Sequence, residues 1–435
     1  MNRILLSLGS EESSCDSVKR LLILLVSTLA ATPLFSAGPD SASSAVNQLG
    51  LDLLEKLAKG NGNLCLSPYS IQSALAMTYA GSDGDTRAEM AKVLHYPKDE
   101  AELAESFAAL RRSLEAAVAK SEEHAKNSQR FGASGEPITF QIANGLFGQK
   151  GYDFRTAVID LLKQTYSAAF EQLDFVQNAP EAAGRINAWV ENQTHERIRD
   201  LIPAGALEAQ TRLVIANAVY LKAPWAEAFL PSATKLEPFH LGSGVQQDVP
   251  MMHRRNKLGY AKYDGFSAVT LPYSGGDLHF LALVPDDVDG LSGLEAKISA
   301  SMVADFAHLQ QRDVILHIPK FKLQPPALSL ARELQSLGMK SAFNLPKGSA
   351  NFDRLAPRKP NDYLFVSDVF HKTYITVDEK GTEAAAATAV AMMASSARIE
   401  PAKPVEVIVD RPFLFAIQHA PTGTCLFLGQ VTDPR

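Results

Sequence analysis

Apolar positions recur at helical spacing over residues 45–59 and 70–80, and again over 100–120 in an alanine- and leucine-rich stretch. Ser67 followed by Pro68 suits the start of the second helix, a capping hydroxyl and a ring that needs no amide hydrogen bond. Residues 157–170 and 186–198 carry the same period, the latter anchored by Trp189. Strict alternation over 138–147 predicts a strand. The runs 212–222, 279–285 and 314–322 are apolar and rich in β-formers, as strands buried on both faces would be. Three more strands are predicted at 405–409, 413–418 and 425–431, and a helix over 328–337 stopped by Gly338. Between the third helix and the first long strand, the polar segment 120–136 with Gly132 and Gly135 reads as a disordered insertion. The sum is an α+β fold with mainly antiparallel sheets and surrounding helices. No Pro/Gly/Ser-rich linker divides it, so 38–435 is read as one domain.

The amino end has a different pattern. Lys19 and Arg20, the apolar run 21–26 and small residues through Ala37 form a charged region, a hydrophobic region and a cleavage zone. Residues 1–37 are therefore read as a signal region, and the mature chain as secreted, extracellular or periplasmic. The run is too short to anchor in a membrane. Glu11, Glu12 and Asp16 ahead of it suit no signal peptide, so translation is read to start at Val18.

Composition narrows the function by exclusion. A formal charge of −6 on 435 residues gives no basis for nucleic-acid binding. Of the three cysteines, Cys15 falls in the removed segment, leaving at most one disulfide between Cys65 and Cys425. Both read instead as small buried hydrophobes, and without neighbouring histidines they make no metal site. No Gly-x-Ser-x-Gly elbow, phosphate-binding glycine loop or His-Glu-x-x-His pair is present, so neither catalysis nor a cofactor is expected.

The segment 377–390 combines a charged stem, one glycine and a run of small residues. Propensity leaves an alanine helix and a strand evenly balanced there. As a strand, one face carries Thr382, Ala384, Ala386, Thr388 and Val390, free of charge, while the other has its only charge at Glu383. The text on either side favours the strand, because Glu379-Lys380-Gly381-Thr382-Glu383 followed by small residues resembles the hinge of the serpin family's reactive loop. Asn63-Leu64-Cys65-Leu66-Ser67-Pro68, Asn217-Ala218-Val219-Tyr220-Leu221-Lys222 with Trp225 and Phe229, Leu271-Pro272-Tyr273, Ile318-Pro319-Lys320-Phe321, Val366 through Lys372, and Arg411-Pro412-Phe413 follow in that family's order. The resemblance covers roughly 45–435. Ser82, Leu221, Ala223 and Gln430 depart mildly from the family pattern, and none of them touches the hinge.

The resemblance implies a serpin-like fold with an exposed reactive loop over 379–411. It implies a hinge of Glu379, Gly381, Thr382, Glu383, Ala384, Ala385, Ala386, Ala387 and Thr388. Under the main sheet it groups Ser67, Ser70, Asn217 and His371, whose hydroxyl, amide and imidazole groups can exchange partners as strands part. Trp225 and Lys320 join Glu379 at the sheet's top. Family spacing puts the reactive bond fourteen residues after Gly381, at Ser395–Ser396, with Met393 and Arg398 as alternatives in a slipped register. The implied function is suicide inhibition of a serine protease, elastase-like or subtilisin-like given Met392, Met393 and Ala394. A cysteine protease is a second kind of target, and a non-inhibitory binding, storage or chaperone role is the alternative. No cofactor, nucleic acid or membrane is implied, and a monomer is expected.

Overall fold

In the computed structural model, residues 40–58, 62–130, 135–166, 169–242, 244–359, 362–382 and 403–435 are described. The chain divides into two units, Met1–Ser36 and Ala37–Arg435. The first lies outside the described residues, and with it the signal region, Cys15 and the start at Val18.

Helix α1 (Asp40–Leu57) turns Ala42, Ala45, Val46, Leu49 and Leu53 inward, a stripe at the helical period. After strand β1 (Leu64–Leu66), helix α2 (Pro68–Gly81) is buried almost all round and therefore runs through the core. Ser67 caps it by accepting from the Ser70 N–H. Helix α3 (Gly84–Val93) leads to α4 (Glu100–Arg130), which corrects the disordered reading of 120–136 over residues 120–130, while 131–134 lie outside the described residues. The buried stripe Leu110, Leu114, Ala117, Ser121, Ala125 carries the helix on into the polar segment as far as Arg130. Ser121 Oγ accepts from the Ile138 N–H at 2.8 Å, and Lys120 pairs with Asp277 at 2.6 Å.

Strand β2 (Thr139–Gln149) is followed by α5 (Thr156–Tyr166) and β3 (Ala169–Leu173). The helix predicted over 157–170 thus ends early, because Ala169–Leu173 pairs in parallel with β2. Helix α6 (Phe175–Gln193) starts before the predicted 186, capped by Asp174 and kinked at Asn178 ahead of Pro180. It ends before 198, where His195 and Glu196 adopt positive φ. Strand β4 (Leu213–Pro224) has a single residue that is not buried, Lys222.

The remaining elements are β5 (Lys235–His240), β6 (Gln246–Tyr263), β7 (Phe266–Pro272), β8 (Leu278–Pro285), α7 (Leu291–Lys297), α8 (Ala300–Asp305), β9 (Gln311–Pro319), β10 (Phe321–Leu323), β11 (Leu328–Ser329), α9 (Ala331–Leu337), β12 (Val366–Thr373), β13 (Ile375–Asp378), β14 (Gly381–Thr382), β15 (Val405–Ile408), β16 (Phe413–His419) and β17 (Thr424–Val431). The strand predicted over 314–322 splits at Lys320, whose N–H bonds to the Pro250 carbonyl as the chain crosses between sheets. The helix predicted from 328 begins at Ala331, because Leu328 and Ser329 pair with β12.

One sheet has the order β1-β17-β16-β8-β7-β6-β9-β15, with β5 on β6. The other runs β10-β13-β14-β4-β12-β11, with β2 on β4 and β3 on β2. Pairing is antiparallel except for β2–β3, β4–β12 and β9–β15. Buried aromatics join the two sheets, the Phe321 ring of β10 lying against Phe415 of β16 with centroids 5.7 Å apart. Among the described residues no helix is long and apolar enough to cross a membrane.

Candidate functional site

The second sheet holds one irregularity. Along most of its length β12 pairs directly with β4, in parallel from Val366↔Leu213 to Thr373↔Val219. Higher up, the two-residue strand β14 stands between β13 and β4, Thr382 opposite both Val377 and Ala223, Gly381 opposite both Asp378 and Pro224. Strands β4 and β13 have parted there by one strand's width.

The turn that makes this possible is local. Asp378 Oδ1 accepts from the Lys380 N–H at 2.8 Å and the Gly381 N–H at 3.3 Å, reversing the chain after β13. Gly381 has φ +149°, and a Cβ there would lie 2.2 Å from the carbonyl oxygen of Ala223, which also pairs with Thr382 and so, against expectation, does touch the hinge. Only glycine fits. Thr382 is completely buried, its hydroxyl 2.6 Å from the Tyr273 hydroxyl. The resemblance implies an exposed loop from Glu379 onward, Thr382 included. Here Thr382 is paired on both sides in the uncut chain. Residues Glu383, Ala384, Ala385, Ala386, Ala387 and Thr388 of the hinge, and Met393, Ser395, Ser396 and Arg398, lie outside the described residues.

Trp225, Lys320 and Glu379 converge on the same turn. The Trp225 indole donates to the Asp378 carbonyl at 2.8 Å, and its ring stacks on Tyr273 at 4.6 Å. The Trp225 and Phe229 amides bond the Lys380 and Glu379 carbonyls at 2.9 and 2.7 Å. Lys320 Nζ lies 2.8 Å from Glu379 Oε2, and the Thr234 hydroxyl donates to Oε1 at 2.8 Å. Burial works to raise the Glu379 pKa, but the bonds from Lys320 and Thr234 outweigh it and hold the carboxyl below its ordinary value. Lys320 is about a third exposed, so the ion pair biases the turn by about 0–1 kcal/mol.

Below the parted end, the paired part of the sheet rests on a buried polar group. Ser67, Ser70, Asn217 and His371 are each fully buried and in mutual contact. His371 and Asn217 are register partners across β12 and β4. His371 Nε2 accepts from the Ser67 N–H at 3.0 Å, which leaves the ring proton on Nδ1, donating to Asn217 Oδ1 at 2.5 Å. The Asn217 amide donates to the Ser70 carbonyl at 3.1 Å and to Asn144 Oδ1 at 2.5 Å. Each partner is hydrogen-bonded, so the β4–β12 seam holds polar groups without an orphan among these four. The sequence reading missed Asn144 and Tyr273 as members of this machinery. Their signal was weak, because Asn144 lies on β2 and Tyr273 just past the end of β7, each far in sequence from the residues it joins.

Burial drives the His371 pKa down to about 3, and those of His279 and His419 to about 4. The folded protein therefore keeps these rings neutral, while the unfolded chain protonates them near pH 6.5. Stability is fully present above that pH and falls on acidification towards the folded values, because the unfolded state binds more protons. Protonated His371 would also present a donor to the Ser67 N–H. Denaturant midpoints from pH 7 to 4.5 should fall, each ring adding a slope approaching about 1.4 kcal/mol per pH unit. His371→Gln should flatten that slope; an unchanged slope would show that His371 is not a buried neutral ring.

Cys65 and Cys425 are both buried and free, their thiols pushed up to about 12 by burial. They pack as small hydrophobes and form no disulfide.

The family described as serpin, serine protease inhibitor, matches residues 44–434. An uncharacterized serpin-like protein of Thermococcus kodakarensis is 37% identical over 395 residues, covering 90% of this chain and 85% of its own. The leukocyte elastase inhibitor of Bos taurus is 34% identical over 406 residues, covering 91% and 100%. Among solved structures, Serpin48 of the insect Tenebrio molitor superposes with a TM-score of 0.75 at 28% identity, over 91% of this chain and 98% of that one. With matching sequence, matching architecture and a hinge glycine seated between two parted strands, the chain belongs to the serpin family of protease inhibitors and is not an enzyme.

Proposed function

We propose that this chain is a secreted, monomeric suicide-substrate inhibitor of serine proteases, with residues 379–411 as bait. The observation that carries the reading is β14: Gly381 and Thr382 occupy a slot between two strands, and below it the β4–β12 ladder is still closed.

The protease serine attacks the Ser395 carbonyl, an ester forms, and the Ser396 amine leaves with a proton from the protease's histidine. Residues 382–395, tethered at β14 and free at the cut, continue the insertion already begun. The β4–β12 ladder opens, its Ser67, Ser70, Asn217 and His371 groups exchanging partners, and the new strand pairs on both sides. The thirteen residues beyond Thr382, at ~3.3 Å each, carry the attached protease ~43 Å. That distance strains the protease's catalytic groups, and a displacement of about 1 Å already costs on the order of a hundredfold in rate. Deacylation is slowed and the ester persists.

A relative named as an elastase inhibitor and the small or apolar residues Met392, Met393 and Ala394 support an elastase-like or subtilisin-like target. Incubation of the purified protein with elastase, subtilisin, trypsin and papain, followed by a denaturing gel and mass spectrometry, tests the reading. A one-to-one complex that survives denaturant, with the cut at Ser395–Ser396, is expected with elastase or subtilisin. A cut after Met393 or Arg398 would move the reactive bond, and a papain complex would extend the targets to cysteine proteases. Cleavage by all four without any complex would replace inhibition by the non-inhibitory binding, storage or chaperone role.

A further inference from the structure

Away from the loop machinery, four ionisable side chains form a row across the first sheet. Glu237 stands on β5, His253 on β6, His317 on β9 and Glu406 on β15, one from each of four neighbouring strands. His253 and His317 are direct register partners, and their rings lie 4.2 Å apart. Glu237 reaches both, with Oε1 2.8 Å from His253 Nε2 and Oε2 3.4 Å from His317 Nδ1. The other nitrogen of His317, Nε2, lies 3.6 Å from Glu406 Oε1.

Several features distinguish this row from a surface ion pair. One donor atom from each of Glu237, His253 and His317 lies within 4.8 Å of the other two. Tetrahedral sites with bonds of about 2.0–2.1 Å need donor atoms roughly 3.3 Å apart, so small side-chain rotations on fixed strands suffice. The histidine side chains are only 21% and 16% exposed. His253 Nε2 is buried and makes no aligned hydrogen bond, although Glu237 is close. A buried ring nitrogen 2.8 Å from a carboxylate oxygen and beside a second imidazole is a ready position for a cation. Two imidazoles and a carboxylate suit a borderline transition metal, whereas calcium and magnesium take oxygen sets.

We propose that Glu237, His253 and His317 bind one divalent transition-metal ion of the Zn2+ type. Glu406 faces the outward nitrogen of His317, the place where a carboxylate fixes the orientation of a ligating ring. Such an ion fastens β5 and β6 to β9 and, through Glu406, steadies β15. That strand pairs with β9 over only four residues, Val405–Ile408, near the carboxy-terminal end of the segment 379–411. Lys235, on the strand that carries Glu237, is the one nearby cation the metal must tolerate among the described residues acting on His253. The proposal is independent of inhibition and of the scissile bond.

The test is titration of the EDTA-treated full chain with Zn2+ by calorimetry, with Co2+ as a spectroscopic substitute. One equivalent of Zn2+ should bind and raise the melting temperature saturably, and Co2+ should give the intense visible absorption of a four-coordinate site. His253→Gln and His317→Gln should each abolish the one-equivalent phase, and Glu406→Gln should weaken it about tenfold. His95→Gln, at a separate ion pair with Asp52, should bind as the unsubstituted chain does. Equal Zn2+ binding in His253→Gln, or no binding at all, overturns the site. If either variant misfolds, the imidazole resonances of the unsubstituted chain decide: only His253 and His317 should shift with Zn2+, and a shift elsewhere alone refutes the assignment.

Discussion

Thr382→Arg is expected to turn the inhibitor into a substrate, with the loop cut as fast as before and no denaturant-resistant complex formed. Thr382 is completely buried, paired with Val377 and Ala223, its hydroxyl on Tyr273. An arginine there must bury an unpaired guanidinium, at a cost of about 3–5 kcal/mol, or withdraw from between β13 and β4. Withdrawal removes the tether that starts insertion, so deacylation wins the race. The proposed reactive bond is thirteen residues further on and its chemistry is untouched. Thr382→Val is the matched control: it keeps the shape and drops only one hydrogen bond, at about 0.5–1.5 kcal/mol, and should still form the complex. Titrating enzyme with inhibitor and running the products on a gel decides between them. Full inhibition with unchanged stoichiometry by Thr382→Arg would refute the insertion mechanism.

Nicking the loop between residues 391 and 398 is expected to raise the melting temperature by at least about 10 °C. The uncut chain spends one parallel ladder, β4 on β12, to close its sheet. After insertion that ladder is replaced by two, because the new strand pairs with a neighbour on each side. Roughly a dozen extra main-chain hydrogen bonds at about 0.5–1.5 kcal/mol each, together with apolar burial, outweigh the cost of ordering the segment. Calorimetry on the protein before and after limited proteolysis measures the difference. Coincident melting curves would rule out insertion for this chain.

How much of this was legible depended on which physical signal each element carries. Strands β4, β8, β16 and β17 are buried on both faces and appear as continuous apolar runs, so their positions were readable from composition alone. The continuation of α4 was not. Its inward face over 117–125 is Ala117, Ser121 and Ala125, too small and polar to mark a stripe among charged neighbours. The long strand β6 alternates irregularly between buried and exposed residues and gave no usable period. At the site, Gly381 and Thr382 stood out because they are sequential, and family order supplied Ser67, Asn217 and His371. Asn144 and Tyr273 required the register of β2 on β4 and the bridge of Trp225 to Tyr273 before their roles appeared. The Glu237, His253 and His317 row is spread over about eighty residues and has no local motif at all.

The position of Trp225 gives the molecule its own optical reporter. The chain has two tryptophans, and Trp189 lies on α6 beside Phe147, in a hydrophobic cluster separate from the one that holds Trp225. Trp225 is 5% exposed, bonded to the turn carbonyl of Asp378 and stacked on the same Tyr273 that holds Thr382. Any lengthening or withdrawal of β14 changes the indole's hydrogen bond and its stacking partner together. With Trp189 replaced by phenylalanine, stopped-flow emission from a single native residue would time strand insertion without a label.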